Sequence, residues 1–149
     1  MATATFYIVR PDSEQATTAG FEAYVVYLTQ HFARQGAKVY LQCDNKAHAE
    51  QLAERFWQVE AKDFLGHNLV GEGPKYGTNI EIGHVGVKPS WNRQLAINLA
   101  DNHTTFAKAF AEVVDFVPNE ENAKQRSRER YKLYRQAGYQ LQTIEIHYP

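Results

Sequence analysis

The sequence predicts an α/β fold, with helices on both faces of a mostly parallel, mixed central sheet. Two observations support this prediction. The chain has 149 residues, of which 44% are hydrophobic, and this suits one domain with a core of its own. Short apolar runs alternate with amphipathic segments, and such alternation is typical of parallel strands joined by right-handed helical crossovers. We therefore expect residues 1–149 to form a single three-layer α/β/α domain.

The first strand and helix are predicted from a change in apolar spacing. Residues 4–9 (ATFYIV) are a run of β-forming side chains that ends before Pro11, which predicts a buried strand. From about residue 18 to residue 35, apolar side chains recur at the three- and four-residue spacing of one helix face, and Gly36 stands where a helix-ending glycine is expected. The side chains predicted to face the core are Phe21, Tyr24, Val25, Leu28 and Phe32.

A second strand and a second helix are predicted to follow. Residues 38–43 (KVYLQC) have the composition of a strand. Asp44 or Asn45 then provides an N-cap for a helix over about 46–58, because both residue types accept hydrogen bonds from the first backbone amides of a helix. The side chains predicted to point inward from this helix are Ala49, Leu52, Ala53 and Phe56.

The second half of the chain is predicted to contain one long loop and several shorter elements. Residues 60–79 include four glycines and Pro74, which predicts a loop. The remaining predicted elements are strands at 79–83, 95–99, 112–117 and 139–146, a short helix near 104–110, and a charged helix over 120–137 that ends at Gly138. These elements continue the alternation to the end of the chain.

Composition and cysteine content exclude several classes of protein. A formal charge of −1 argues against a uniformly basic nucleic-acid coat protein. The single cysteine, Cys43, excludes an internal disulfide and a four-thiolate zinc site, and its place at the end of an apolar strand predicts a small buried side chain. No His or acidic residues stand at metal-ligand spacing, so we expect no bound metal. Without a signal-peptide pattern or a membrane-length apolar run, the expected location is cytoplasmic.

The glycine pattern does not match a nucleotide-binding site. Dinucleotide-binding folds carry G-x-G-x-x-G in the turn between the first strand and its helix. Here that turn, residues 10–18, holds no glycine, and the glycines of 71–77 have a different spacing with Pro74 among them. The sequence also lacks a Gly-Lys-Ser/Thr phosphate loop and a G-x-S-x-G nucleophile elbow. We therefore expect a Rossmann-like fold without the nucleotide fingerprint and without a cofactor, and nothing among these residues argues for a catalytic site.

The segment 120–137 is the most informative for function. It carries six cationic and three acidic residues. At about 100° per residue, four side chains fall on one side of the predicted helix, with Lys132 at the edge of that side. These four are Lys124, Arg128, Tyr131 and Arg135; together with Lys132 they are called the basic face below. The opposite arc, predicted to face the core, consists of Ala123, Leu133, Tyr134 and Ala137.

The basic face allows two interpretations. Most charge-rich helix sides are simply solvated, but a solvated side usually mixes both signs of charge. The basic face carries cations alone, with the ring of Tyr131 among them. A ring among cations suits binding that combines charge with an apolar anchor. These features favour a binding surface, for either a phosphate backbone or an acidic peptide.

A second candidate surface is aromatic. Phe56, Trp57 and Phe64 cluster around the end of the second predicted helix. Phe56 continues the inward row, whereas Trp57 lies about 100° around the helix from it. Trp57 and Phe64 are therefore either further core residues or an exposed anchor for another protein.

Several segments together resemble the chi subunit of bacterial DNA polymerase III, over nearly the whole chain. The matching segments are ATFYIV at 4–9, Trp57, FLGHNLVGEGP at 64–74, AFAEVVDFVP at 109–118 and RERYKLYRQAGY at 128–139. The combination of His-Asn-Leu-Val-Gly-Glu-Gly-Pro with Val-Val-Asp-Phe-Val-Pro and the later Arg-Glu-Arg-Tyr-Lys-Leu-Tyr-Arg is specific, because no common motif shares them.

The resemblance implies a non-catalytic accessory subunit of the clamp-loader complex within a DNA-directed DNA polymerase holoenzyme. Such proteins bind the psi subunit and the acidic, Phe-terminated C-terminal tail of the single-stranded DNA-binding protein. The tail site carried over to this chain consists of Val117, Lys124, Arg128, Tyr131, Lys132 and Arg135. The psi contact carries over to Trp57 and Phe64, a patch that in some members serves a helicase-like repair protein.

Two alternatives from other classes stay open at this point. One is a nucleotide-dependent enzyme on a Rossmann-like sheet, which calorimetry with nucleotides would detect. The other is a module that binds nucleic acid directly through the basic face. Binding to naked single-stranded DNA, compared with DNA coated by intact or tail-deleted coating protein, separates this alternative from tail recognition.

Overall fold

Strands and helices alternate along the chain, as the apolar pattern predicts. The structure is a computed structural model that describes residues 2–63, 67–70, 79–87, 94–100 and 110–147. The strands are β1 (Thr3–Ile8), β2 (Val39–Cys43), β3 (His67–Leu69), β4 (Ile80–His84), β5 (Leu95–Asn98), β6 (Glu112–Val117) and β7 (Gln140–Glu145). The helices are α1 (Thr18–Arg34), α2 (Lys46–Asp63) and α3 (Glu121–Gln136), and a 3-10 turn at Glu14–Ala16 precedes α1.

The described strands form one sheet in the order β3-β4-β2-β5-β6-β1-β7. Each of the neighbouring pairs is parallel. The crossovers through α1 and α2 move along the sheet towards β3, whereas the crossover through α3 moves towards β7. Because crossovers are right-handed, opposite directions place these helices on opposite faces of the sheet. The predicted three-layer α/β/α arrangement is thereby confirmed.

Each face of the sheet has its own core. Strand β2 is an interior strand of the sheet, is buried along its whole length, and sends alternate side chains to the two faces. Val39, Leu41 and Cys43 join the core beneath α1 and α2. Tyr40 joins the core beneath α3, together with Ala4, Phe6, Ala96, Phe110, Val113, Tyr134 and Tyr139. Burial on both faces explains why the central strands are mostly apolar rather than strictly alternating.

The helix ends follow the predicted chemistry. Gly36 has a φ of 96° immediately after α1, and Gly138 has a φ of 94° after α3, so both positions need the left-handed conformation that glycine adopts without strain. The choice between Asp44 and Asn45 is resolved, because the Asn45 Oδ1 accepts a hydrogen bond from the His48 backbone N–H at 2.9 Å. Asn45 is therefore the N-cap of α2.

Two predicted boundaries are wrong. Helix α2 continues to Asp63 instead of ending near residue 58, and β3 lies inside the segment 60–79 that was predicted to be a loop. This strand has three residues and pairs with β4 in the register His67 to Ile80. A strand this short has no readable alternation, so only its pairing with β4 identifies it as a strand. The glycine-rich residues 71–77, and residues 104–109 of the short helix predicted near 104–110, lie outside the described residues.

Among the helices in the described ranges, none is long and apolar enough to cross a membrane.

Candidate functional site

Helix α3 packs against β6 and β7 with a side that differs from the predicted one. Its buried residues are Ser127, Arg130 and Tyr134. Tyr134 was predicted to face the core, but Leu133 is 39% exposed and Ala137 is also exposed, so these two assignments are wrong. The buried arc is rotated by roughly 40° from the predicted arc, at about 100° per residue. Hydropathy alone could not place Arg130 inside, because its partner lies on another element.

That partner is Asp115 on β6. The Arg130 Nε donates to the Asp115 Oδ2 at 2.9 Å, and the Arg130 Nη2 donates to the Asp115 Oδ1 at 3.0 Å. The same carboxylate accepts from the Tyr134 hydroxyl at 3.0 Å, the Asn98 Nδ2 at 3.1 Å and the Phe116 backbone N–H at 2.7 Å. Asp115 is 1% exposed and Arg130 is 5% exposed. The pair is thus fully buried. The Asp115 carboxylate accepts these five hydrogen bonds from four residues, which together fix its orientation.

The cations of the basic face remain accessible. Arg128, Lys132 and Arg135 are exposed and Lys124 is half-buried. The Arg128 Nη1 donates to the Gln125 Oε1 at 3.3 Å, a contact within the same helix. Within the described residues, none of these four cations forms an ion pair with a carboxylate. The basic face therefore presents positive charge that the described part of the chain does not neutralise.

An apolar border adjoins these cations. Val117 and Tyr131 are half-buried, and both pack on the core beneath α3. The Tyr131 ring lies 5.3 Å from the Phe6 ring, between centroids, and the Phe6 ring lies 5.7 Å from the Tyr134 ring. Val117 stands beside Ile8 in the register of β6 and β1. Phe6 and Ile8 were not among the predicted site residues, although the alternation of residues 4–9 places both on one face.

The N-terminus of α3 is occupied by a carboxylate of the chain itself. The two side-chain oxygens of Glu120 accept hydrogen bonds from the backbone N–H groups of Asn122, at 3.0 Å, and Ala123, at 2.7 Å. These two hydrogen bonds hold the pKa of the Glu120 carboxyl below its ordinary value. Glutamate is an unusual N-cap, which is why the sequence pattern did not identify it.

Trp57 is exposed on α2. Its side chain is 66% accessible, whereas the neighbouring Phe56 is completely buried. The His67 ring, which β3 supplies, lies edge-on to the Trp57 ring at 5.2 Å and also contacts Phe56 at 5.4 Å, between centroids. Of the two alternatives for Trp57, the structure excludes a position in the core. Phe64, the second predicted residue of this surface, lies outside the described residues.

The first strand–helix turn is closed by local hydrogen bonds. The Thr17 Oγ1 accepts from the Gly20 backbone N–H at 3.0 Å and donates to the Glu14 carbonyl at 2.7 Å. A Cβ atom on Gly20 would lie 1.9 Å from that same carbonyl oxygen. Dinucleotide-binding folds place a phosphate at this helix N-terminus. Here an anion would meet a carbonyl oxygen and an amide that is already bonded.

Cys43 is fully buried, which confirms the prediction for this residue. Burial, with smaller contributions from the carboxylates of Asp44 and Glu22, raises the pKa of its thiol to about 12. A thiol that stays protonated at neutral pH is a weak nucleophile and a weak metal ligand. Over the described ranges, no group of three or more His, Cys, Asp or Glu side chains is placed to hold a metal ion.

The family model and the curated relatives that match this chain all carry the name of the same subunit. Residues 1–142 match the family described as "DNA polymerase III chi subunit, HolC". Relatives named DNA polymerase III subunit chi include one from Escherichia coli, 40% identical over 96% of this chain and 97% of its own length. Another, from Haemophilus influenzae, is 37% identical over 97% of both chains, and one from Pseudomonas aeruginosa is 32% identical over 73% of this chain and 75% of its own length.

One solved structure, titled "The crystal structure of T4 UvsW", resembles this chain in fold. The superposition includes 97% of this chain and 41% of the UvsW chain. Its TM-score is 0.62, and the two sequences are 13% identical. A likeness at this identity concerns the arrangement of strands and helices alone.

Proposed function

The chain belongs to the DNA polymerase III chi subunit family, and from this premise we propose that it is a non-catalytic accessory protein of the clamp-loader complex. In this proposal, residues 1–149 form one chi-type domain with two binding surfaces. The basic face of α3 binds the acidic C-terminal tail of the single-stranded DNA-binding protein. The surface around Trp57 binds the psi subunit. Together they couple the replicase to the coated lagging-strand template.

The observation that carries the tail proposal is the position of the basic face beside an apolar border. Lys124, Arg128 and Arg135 project from the same side of α3 as the half-buried Tyr131. Val117 and Tyr131 pack on one core, so an apolar side chain of a ligand could extend that core outward. An acidic peptide that ends in phenylalanine carries both complementary features: carboxylates for the cations and an aromatic ring for the border.

Binding would proceed in two physical steps. Exposed cations steer the acidic segment towards α3, and charge-assisted hydrogen bonds then hold its carboxylates. The terminal phenylalanine packs against Val117 and Tyr131, with its carboxylate next to a lysine or arginine. A short peptide covers little area, so each contact is weak and reversible. Many tails displayed along one coated strand supply avidity.

The psi proposal depends on the exposure of Trp57. A tryptophan that is 66% accessible, although its ring contacts His67, leaves a large apolar surface in water, and this exposure does not stabilise a monomer. Aromatic anchors of this kind dominate the energy of many interfaces. Phe64 belongs to the same proposed surface, and a helicase-like repair protein is a second candidate for its occupant.

The tail proposal is tested by titrating a labelled acidic, Phe-ended peptide against the wild type and Arg128→Glu. We expect Arg128→Glu to weaken binding severely, because like-charge juxtaposition costs several kcal/mol, while the free energy of unfolding changes by less than about 0.5 kcal/mol. Lys46→Glu makes the same change of charge at an exposed position on α2, so it controls for net charge and should bind as the wild type does.

Salt dependence and a second variant complete this test. Binding to the wild type should weaken as salt rises, because exposed charges are screened over about 8–10 Å. Equal affinity in the wild type and Arg128→Glu, or affinity that ignores salt, would place the tail site elsewhere. Binding that is lost in Tyr131→Ala but retained in Arg128→Glu would mean that the apolar contact carries recognition and that the charges only steer.

A further inference from the structure

We propose that the buried Asp115–Arg130 pair is a positioning device that sets the orientation of α3 and thereby assembles the tail site. This inference rests on the proposed function, because the site that it positions is the tail site. Neither residue touches the proposed ligand: Asp115 is 1% exposed and Arg130 is 5% exposed. Their role would be exerted through Val117, Tyr131 and Phe6.

The geometry of the pair fixes direction as well as distance. Two parallel hydrogen bonds, at 2.9 and 3.0 Å, join the planar guanidinium of Arg130 to the planar carboxylate of Asp115. Such a fork constrains rotation in the plane of both groups, which a single bond does not. The Tyr134 hydroxyl adds a third bond from α3 to the same carboxylate, one helical turn further along. Three bonds from one helix to one carboxylate restrict both the rotation and the sliding of α3 on β6.

The residues next to this pair are the apolar residues of the proposed site. Val117 follows Asp115 by two positions on β6, so both side chains point to the α3 face of the sheet. Tyr131 directly follows Arg130 on α3. Phe6 stands beside Asp115 in the strand register, and its ring lies 5.3 Å from Tyr131. A shift of α3 at Arg130 would therefore change the position of Tyr131 relative to Phe6 and Val117.

Stability alone does not account for a buried ion pair here. Removing two charges from water is costly, and well-packed apolar residues of similar volume often serve a core as well or better. Apolar and aromatic side chains make up much of the core beneath α3, with Ala4, Phe6 and Val113 close to the pair in sequence and register. Unlike apolar contacts, the pair constrains the direction in which α3 faces β6. The proposed site needs this constraint, because its residues lie on both elements.

The test compares peptide binding by variants that remain folded. Arg130→Lys keeps the buried charge but cannot form the fork. The double variant Asp115→Asn/Arg130→Gln replaces the pair by neutral hydrogen-bonding groups. Phe56→Leu is the matched control, because it weakens the core on the opposite face of the sheet without touching α3. Tail-peptide dissociation constants are measured well below the unfolding transition of every variant, together with ring-to-ring NOEs between Phe6 and Tyr131.

We expect the dissociation constant to rise by roughly 2- to 30-fold in Arg130→Lys and in the double variant, the range typical of residues that act through others. The Phe6–Tyr131 NOEs should weaken in the same variants, and Phe56→Leu should bind as the wild type does. Wild-type affinity in both folded pair variants would overturn this inference and leave the proposed function intact. Failure of the wild type itself to bind the peptide would overturn the proposed function, and the inference with it.

Discussion

At the scale of single residues, Cys43 shows how burial controls the chemistry of a side chain. Its thiol is fully buried at the end of β2, and burial raises its pKa to about 12. Between the ordinary thiol pKa and this value, the Cys43 thiol ionises in the unfolded chain but not in the folded one. The contribution of Cys43 to the free energy of unfolding is therefore fully present below this pH range and is lost as the pH rises through it.

Cys43 should therefore be nearly inert in the folded protein. At pH 8 a thiol reagent should label native protein far more slowly than protein unfolded in urea, because the thiolate is the reacting form and the native thiol is both protonated and inaccessible. The measurement is the labelling rate with and without denaturant. A native rate equal to the unfolded rate would show that the end of β2 is open to solvent.

At the scale of elements, the adjacent residues Phe56 and Trp57 lie on the buried and the exposed side of α2. Phe56 is completely buried in the core beneath α1 and α2, whereas Trp57 is 66% exposed. The 100° step between neighbouring positions on a helix separates their environments. The two residues therefore form a natural matched pair, in which one change tests packing and the other tests the surface.

We expect Phe56→Ala to lower the free energy of unfolding by about 3–5 kcal/mol, the usual cost of a cavity left by phenylalanine. Trp57→Ala should change it by about 0.5 kcal/mol or less, as at other surface positions. Urea denaturation measures both values.

For psi binding, Trp57→Ala should cost about 2 kcal/mol or more if the tryptophan is a central anchor. Severe destabilisation in Trp57→Ala would instead identify it as a core residue.

At the scale of the whole molecule, the sheet separates the two proposed surfaces. Helix α2 packs on the face that also carries α1, and α3 packs on the opposite face. Each face has its own core, so a change of packing under one helix is not transmitted by direct contact to the other. The architecture therefore permits two partners to bind at the same time.

Occupation of one surface should leave the affinity of the other unchanged. We expect tail-peptide binding to be the same with and without saturating psi subunit, and the effects of Trp57→Ala and Arg128→Glu on unfolding to add within about 0.3–0.5 kcal/mol. Calorimetric titration of the peptide into the preformed complex measures the first, and a double-mutant cycle measures the second. Competition between psi and the peptide would mean that both use one surface.

Much of the fold could be predicted from the sequence because it depends on local spacing. The boundaries of α1 and β2 follow from a change of apolar period, and Gly36 and Gly138 end helices through their own backbone freedom. Strand β3 could not be predicted, because three residues carry no period and its formation depends on pairing with β4 in the assembled sheet. The cations of the basic face were predictable for the same local reason: a helix places residues three and four apart on one side.

What only the tertiary structure decided is which side of α3 faces the sheet. A helical wheel ranks side chains by hydropathy and so places Leu133 and Ala137 inside. In the fold, Arg130 takes the inner position because Asp115, 15 residues earlier on β6, accepts two hydrogen bonds from its guanidinium there. Likewise the contact of Tyr131 with Phe6 joins residues from the two ends of the chain. The sequence determines which groups can pair. A charge is buried at tolerable cost only where an oppositely charged, hydrogen-bonding partner is in place, and the assembled sheet decides where Asp115 lies.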